Sequence, residues 1–345
     1  MGCERSSAPN ASPSRPHSKA VIAVIGQAED DPQWPGIRGG AKRYLAGVPS
    51  LRAVFAAPQS ASPDDLRATI SEVLAQEPQA VCLCVHDPDT ARESLDLIAS
   101  KHAIIVTMGQ SMNDARVYGH VSVAMANAAE TLGENLSKIA PGRRSYLLLH
   151  ENKRNDRATN CYQRFLAAAQ RQYDLVLLEE QNAATNHGAD MTLIENMLDR
   201  FRHAATLVTL NPDVWLTVRP AWERRLRESN GEFRFATLSG APVLWRQLGS
   251  PEDPGLAAAL VGPIDGEIGF AAAEIATQGL WNATEVLHAR TIECELVTPD
   301  NLADFARRYS ESANGLDVSA FLPPVRHEAR TDSRPSQHWE NQDAQ

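Results

Sequence analysis

The sequence has few aromatic residues, few cysteines and no long apolar run, and these shortages exclude several classes of protein. Aromatic residues make up 6% of the 345 residues, and no internal stretch approaches the roughly 18 apolar residues of a membrane-spanning helix. The five cysteines are odd in number and scattered, which does not suit a disulfide framework. Basic residues are outnumbered, 33 to 43. The net charge of −10 repels phosphate backbones, so we expect no nucleic-acid partner.

The motifs of common enzyme and metal sites are also missing. Gly26 follows the first apolar run without the further glycines of a dinucleotide-binding loop, and neither a P-loop nor a nucleophile elbow occurs. Paired-cysteine and His-rich spacings typical of metal sites are absent as well. The sequence therefore predicts no cofactor, no metal and no enzymatic activity. A doubly wound α/β enzyme is the alternative, and turnover or a tightly bound nucleotide would identify it.

What the sequence does contain is a regular alternation of short apolar runs and amphipathic stretches. Continuous apolar runs are typical of parallel strands that are covered on both faces. Helical periodicity lies between them, for example at residues 127–139 and 268–280. Because the strands are too many for one comfortable open sheet, the alternation predicts two doubly wound α/β lobes. The predicted strands are 21–25, 53–57, 80–85, 103–108, 121–123, 145–150, 175–179, 205–210, 233–238, 257–261 and 293–298.

The order of these elements also predicts how the chain is divided. We expect a first lobe of residues 19–112 plus 263–292, and a second lobe of residues 113–262 plus 293–325. Several passages between the lobes would form a hinge. Residues 1–18 are rich in Ser and Pro and predict a flexible tether, and residues 326–345 predict a disordered tail.

Local strings in this order resemble the type I periplasmic binding proteins, of which the ribose-binding proteins are typical. Residues 31–34 follow the first strand where the family has Asn-Pro-Phe-Phe, and residues 292–302 are similar to the family's closing strand. The resemblance covers roughly residues 20 to 310. It implies two Rossmann-like lobes joined by a hinge of several crossings. It also implies a monomeric receptor that closes on a small polar ligand, a sugar or a sugar-like molecule.

The resemblance places ligand contacts in loops that follow strands of the first lobe. Asp31 would accept hydrogen bonds from hydroxyl groups and Trp34 would stack on the ligand. The alternative is that Asp31 opens a turn or helix while Trp34 caps the core. His86 stands where the family has a ligand-binding Asn, although it is equally an ordinary loop residue. Gln110, after Gly109, stands where the sugar binders carry Asp-Arg and can bond a hydroxyl, an amide or a carboxylate.

Three further contacts are implied in the second lobe. Cys161 occupies the spacing of a ligand-binding Arg, and Arg157, one helical turn earlier, can replace it, with a solvated surface charge as the alternative. Asn211 is retained from the family pattern, and its alternative role is to form a turn before proline. Ser239 stands where the family has a ligand-binding Asp.

The groups with which the family clamps a sugar are largely replaced, and this leaves the ligand open. The changed positions are Gly109, Gln110, Cys161, Ser239 and Pro263. Because a hydrogen-bonding site rejects ligands that leave its buried groups unpaired, we do not expect ribose to bind in the family's manner. Trp215, Trp222 and Trp245 can line a more aromatic site, or pack in the core.

The N-terminal residues bear on location. Gly2 and Cys3 precede a Ser- and Pro-rich segment, as at the end of a bacterial lipoprotein signal, although the preceding apolar stretch is missing from the sequence. The same residues fit a myristoylation pattern, which suits a bacterial family less well. We therefore expect a periplasmic protein, tethered to the membrane if Cys3 is lipidated. The expected protein partner is an ABC permease or a receptor kinase of a signalling system.

Overall fold

The computed structural model describes residues 19–323 apart from several short gaps, and the structural statements below concern the described residues. Within them, no helix is both long enough and apolar enough to cross a bilayer. The gaps are residues 86–87, 111, 113, 140–143, 151–155, 173–174, 183, 186–187, 190, 211–214, 229–232, 249–256 and 283–287.

The first lobe is built on a parallel sheet. Its strands are β1 (Ala20–Ile25), β2 (Leu51–Ala56), β3 (Ala80–Val85), β4 (Ile104–Gly109), β5 (Val117–Val123) and β13 (His288–Ile292). They lie in the order β13, β5, β4, β3, β1 and β2. Every described pair in this sheet is parallel, with β1 in the interior between β2 and β3. Helices cover both faces, which is why β1 and β3 are apolar and buried almost throughout.

The second lobe repeats this plan with one antiparallel edge. Its strands are β6 (Ser145–His150), β7 (Val176–Asn182), β10 (Thr206–Thr209), β11 (Arg234–Thr237), β12 (Ala257–Gly262) and β14 (Glu295–Val297). The order is β14, β12, β11, β10, β6 and β7. Only the β12–β14 pair runs antiparallel among the described strands of this sheet. A separate small hairpin joins β8 (Ala184–Thr185) to β9 (Gly188–Ala189).

The helices pack on the faces of the two sheets. They are α1 (Trp34–Ala46), α2 (Pro63–Leu74), α3 (Pro88–Ala99), α4 (Met125–Ile139), α5 (Asp156–Gln170), α6 (Met191–Arg200), α7 (Trp215–Glu228), α8 (Trp245–Leu248), α9 (Asp265–Trp281) and α10 (Leu302–Ser312). In the first lobe α1 and α9 cover one face, while α2 and α3 cover the other. In the second lobe α4 and α5 cover one face, and α6, α8 and α10 contribute to the core on the other.

Helices α1 and α9 cross with their backbones in contact. A Cβ atom on Gly40 would lie 1.8 Å from the carbonyl oxygen of Gly266, so only glycine fits at the crossing. This close approach places the first turn of α9 directly against α1 and beside the loop that follows β1. The crossing therefore fixes one wall of the region between the lobes.

The expected fold class, two doubly wound α/β lobes, is confirmed by these sheets. One expected boundary has to be moved. A boundary after residue 112 would place β5 in the second lobe. Strand β5 pairs with β4 in the first sheet, so the first passage follows Val123. A second passage joins β12 to α9, and a third joins β13 to β14. The predicted tether at residues 1–18 and tail at 326–345 lie outside the described residues.

Candidate functional site

A cleft with a volume of about 120 Å³ opens between the lobes. Residues at the carboxyl ends of strands from both sheets line it, among them Val85 and Gly109 from the first lobe and Ser239 from the second. Ligands of open α/β sheets bind at this end of the strands. The cleft is therefore the candidate site.

Asp31 lies in the loop between β1 and α1 and lines the cleft. Its Oδ1 accepts a hydrogen bond from the Gln33 backbone N–H at 2.9 Å, and its carbonyl oxygen accepts one from the Trp34 N–H at 3.0 Å. The two interpretations of Asp31 are thus compatible, because it opens the turn into α1 and also faces the cleft. Its contact with a ligand stays a prediction.

Trp34 lies in the core of the first lobe instead of the cleft. Its side chain is 2% exposed and packs in the cluster formed by β1, α1 and α9. Gly26 makes room for the ring, since a Cβ atom there would lie 2.6 Å from it. The position of Trp34 is therefore the one expected from the alternative interpretation, a core residue, and its predicted stacking on a ligand is corrected.

At the end of β4 the backbone faces the cleft, at the point where the sugar-binding proteins that the sequence resembles carry a charged pair. Gly109 lines the cleft with a φ of +100°, and a Cβ atom there would lie 2.8 Å from the Val85 carbonyl oxygen. Gln110 donates its backbone N–H to that same oxygen at 3.1 Å, and its half-buried side chain is not part of the described lining. Gly109 therefore presents its backbone to the cleft, and a contact between Gln110 and a ligand stays a prediction.

The second lobe contributes Arg157 and Ser239 to the lining. Arg157 is half-buried in the first turn of α5, whereas Cys161, one turn later, is 5% exposed and packs in the core. Of these two residues, Arg157 faces the cleft. The Ser239 Oγ accepts a hydrogen bond from the Ala241 N–H at 3.2 Å, and a hydroxyl group can donate as well.

The remaining predicted residues are elsewhere. Trp245 is fully buried, donates its indole N–H to the Gly240 carbonyl oxygen at 3.1 Å and belongs to the core. The side chains of His86, Asn211, Cys3, Trp215 and Trp222 lie outside the described residues.

Sequence reasoning missed two residues, one that lines the cleft and one buried behind it, which are joined by a hydrogen bond. Gln33 lines the cleft, and its Nε2 donates to Oδ1 of Asp265 at 3.3 Å. Asp265, in the first turn of α9, is fully buried, and its Oδ2 accepts from the Tyr309 hydroxyl at 2.6 Å. Burial raises the pKa of Asp265 to about 8, and the negative charge of Asp31 acts in the same direction. The sequence signal was weak, because an acidic residue in a first helical turn is commonplace.

The rest of the described lining is mostly apolar. It includes Ile37, Met108, Val123, Met125, Val261 and Ile268. Cys84 also lines the cleft, and burial raises the pKa of its thiol, so it is a neutral group and a poor nucleophile. In the described part of the chain, no group of three or more His, Cys, Asp or Glu side chains is placed to hold a metal ion. The arrangement suits a small molecule with both C–H surface and polar groups.

Comparison with known proteins reveals similarity at the level of structure. No protein-family model matches the chain, and no curated protein matches its sequence. An ABC transporter solute-binding protein from Bacillus halodurans with bound myo-inositol is 16% identical, with a TM-score of 0.67 over 85% of this chain and 99% of that one. An arabinose-binding protein from Geobacillus stearothermophilus is 10% identical, with a TM-score of 0.69 over 84% and 99%. A chain of a mutant XylFII–LytSN complex is 13% identical, with a TM-score of 0.60 over 82% of this chain and 99% of that one.

Proposed function

We propose that this chain, which has the fold of the type I periplasmic binding proteins, is an extracytoplasmic receptor that closes on a small polar solute, a sugar or a sugar-like molecule. The observation that carries the proposal is the cleft itself, to which each lobe contributes hydrogen-bonding groups, Asp31 and Gln33 on one side and Arg157 on the other. The ligands named for two similar structures, myo-inositol and arabinose, support a polyhydroxy solute.

Closure follows from the division of these groups between the lobes. A ligand that contacts Asp31 alone has the same contacts in the open and closed forms. A ligand that contacts both Asp31 and Arg157 makes its contacts with Arg157 only in the closed form. The differential affinity for the closed form shifts the population towards closure. The apolar lining, including Met108 and Val261, would cover the C–H faces of the ligand and exclude water from the polar contacts.

The proposed partner is a membrane permease of the ABC type, since one similar protein is named as an ABC transporter component. A second candidate is a sensing receptor that reports its ligand to another protein, which the XylFII–LytSN complex favours. Both candidates require binding without turnover. A periplasmic location, a monomeric state and a membrane tether through lipidated Cys3 belong to the proposal as well.

The binding proposal predicts a ligand among small polyhydroxy compounds. In a thermal-shift screen of sugars, polyols and nucleosides, we expect at least one compound to raise the Tm, because a ligand bound only by the folded state stabilises it. Small-angle scattering should then show a smaller radius of gyration with that compound. A tight ligand without compaction would contradict closure, and turnover of any compound would favour an enzyme.

A substitution at Arg157 tests the role of the second lobe. Replacing Arg157 with methionine should weaken binding of the compound found in the screen by roughly 10- to 100-fold, the range for a lost charge-assisted hydrogen bond. Isothermal titration calorimetry measures the change in Kd. The matched control is Arg164→Met on the same helix, because Arg164 bonds Asn127 and Glu130 on the surface, each at 3.0 Å. Equal losses in the two variants would show that Arg157 does not contact the ligand.

A further inference from the structure

A short chain of hydrogen bonds leads from the cleft into the junction of the two lobes. It starts at Gln33, whose side chain lines the cleft and bonds Asp265 at 3.3 Å. It continues through Asp265 to Tyr309 at 2.6 Å. Asp265 and Tyr309 are both 0% exposed, so this part of the chain is shielded from water. Hydrogen bonds in such surroundings are stronger than on the surface, and leaving one unmade is costly.

The two ends of this series of hydrogen bonds belong to different lobes. Helix α9, which begins at Asp265, packs on the first sheet through Ile268 and the alanines that follow. Helix α10 packs on the second sheet, where Tyr309 meets the ring of Trp245 edge-on at 5.2 Å. The Tyr309–Asp265 bond therefore crosses between the lobes. Asp265 also lies three residues after the end of β12, on the second passage of the chain.

Helices α1, α9 and α10 are closely packed around the Asp265–Tyr309 bond. The end of α10 lies so close to α1 that a Cβ atom on Gly39 would be 2.3 Å from the Ala313 carbonyl oxygen. A Cβ atom on Gly266 of α9 would be 2.3 Å from the Ser312 Oγ. Close-packed interiors transmit displacements instead of absorbing them. We therefore expect a shift of Asp265 to displace the end of α10, which touches both α1 and α9.

The charged and titratable groups around Asp265 are mainly acids. Asp31 acts on it from the loop before α1, Tyr309 from α10, and its own charge acts on Cys84 of β3 and Cys294 between β13 and β14. On α9, Glu267 is bound to Arg43 of α1 at 3.0 Å. With its pKa raised to about 8 by burial, the Asp265 carboxyl is largely protonated at neutral pH. Its ionisation would place a second negative charge beside Asp31 in the dry junction.

We infer that Asp265 is a positioning residue that links the cleft to the contact between the lobes, holding Gln33 with one carboxyl oxygen and Tyr309 with the other. A ligand that takes a hydrogen bond from Gln33 weakens the Gln33–Asp265 bond and so alters the Asp265–Tyr309 bond. The position of α10 against the first lobe changes as a result. The inference depends on the proposed function only in taking the cleft to be the ligand-binding site. Its test needs no ligand, so a failure would leave the binding proposal standing.

Hydrogen exchange followed by mass spectrometry tests this link in the ligand-free protein. Tyr309→Phe removes one hydroxyl group in the second lobe. We expect it to speed exchange at residues 33–40, in the first lobe, by roughly three- to tenfold, the range for one lost hydrogen bond. The matched control is Ser310→Ala, because the Ser310 hydroxyl bonds the Leu316 carbonyl oxygen at 2.8 Å within the second lobe. The control should change exchange only near the end of α10.

Two substitutions at Asp265 complete the test. In an Asp265→Ala background, Tyr309→Phe should no longer affect residues 33–40, because the link is already broken. In Asp265→Asn it should still do so, since the amide can accept from Tyr309 and donate to Gln33. Between pH 6 and pH 9, exchange at residues 33–40, corrected for the intrinsic rate, should rise in the wild type and stay constant in Asp265→Asn. If Tyr309→Phe changes only α10, or if both pH profiles coincide, the inference is overturned, even if the Ala variant does not fold.

Discussion

Replacing Asp265 with asparagine is expected to make the protein more stable than the wild type at pH 8, and to leave the two equally stable near pH 4. The folded state raises the pKa of Asp265 to about 8, against about 3.9 in an unfolded chain. Between these values the folded wild type binds more protons than the unfolded chain, so its free energy of unfolding falls as the pH rises. The loss is at most about 1.4 kcal/mol per pH unit and is complete above the folded-state pKa.

Urea titrations at a series of pH values measure this difference. Asparagine does not ionise, and it can keep both hydrogen bonds of the protonated acid if the Gln33 amide turns over. The gap between variant and wild type should therefore widen steadily from pH 4 to pH 8, to a few kcal/mol. The matched control is Glu267→Gln in the same helical turn, a half-buried carboxylate bound to Arg43. A gap that narrows with rising pH, or one that the control reproduces, would contradict the raised pKa.

Replacing Gly40 with alanine is expected to destabilise the first lobe by about 1–3 kcal/mol, the usual cost of overpacking a core. The upper end applies here, because the added methyl group would lie 1.8 Å from the Gly266 carbonyl oxygen. Backbone cannot rotate away as a side chain can, so α1 and α9 would have to separate. Denaturant titration measures the loss as a lower midpoint at an unchanged slope.

Gly47→Ala is the matched control for this substitution. Gly47 follows α1 directly, and a Cβ atom there would meet only the Tyr44 carbonyl oxygen at 3.3 Å. Its φ of −78° suits any residue. We expect this variant to stay within about 0.5 kcal/mol of the wild type, as for most surface substitutions. Equal losses in the two variants would mean that the helix crossing is looser than the backbone contact implies.

The sequence predicts the buried strands well and the exposed ones poorly. Strands β3 and β6 are confirmed at their predicted bounds, because their continuous apolar runs are buried within the sheets. Strand β13 was not predicted, since it lies at a sheet edge and most of its residues are exposed, which leaves no apolar pattern. The boundary after residue 112 was misplaced because only the last part of β5 reads as an apolar run.

The candidate site was predicted in part, for similar reasons. Asp31, Arg157 and Ser239 line the cleft because each follows a strand or opens a helix at the carboxyl edge of a sheet. Trp34 could not be assigned from its position in the chain, because its place in the core depends on the space left at Gly26. The Asp265–Tyr309 bond joins residues 44 positions apart in different lobes. No local pattern records such a pair.

The three passages between the lobes limit how the two halves can move. The first and third are fastened together where the Ala124 N–H donates to the Ile292 carbonyl oxygen at 2.9 Å, just beyond the β5–β13 pair. The first and third passages therefore act as one connection between the lobes. The second passage, at Pro263 and Ile264, is a separate connection. Two connections between rigid bodies define a hinge axis. We expect the lobes to swing about that axis, while sideways sliding and twisting are resisted.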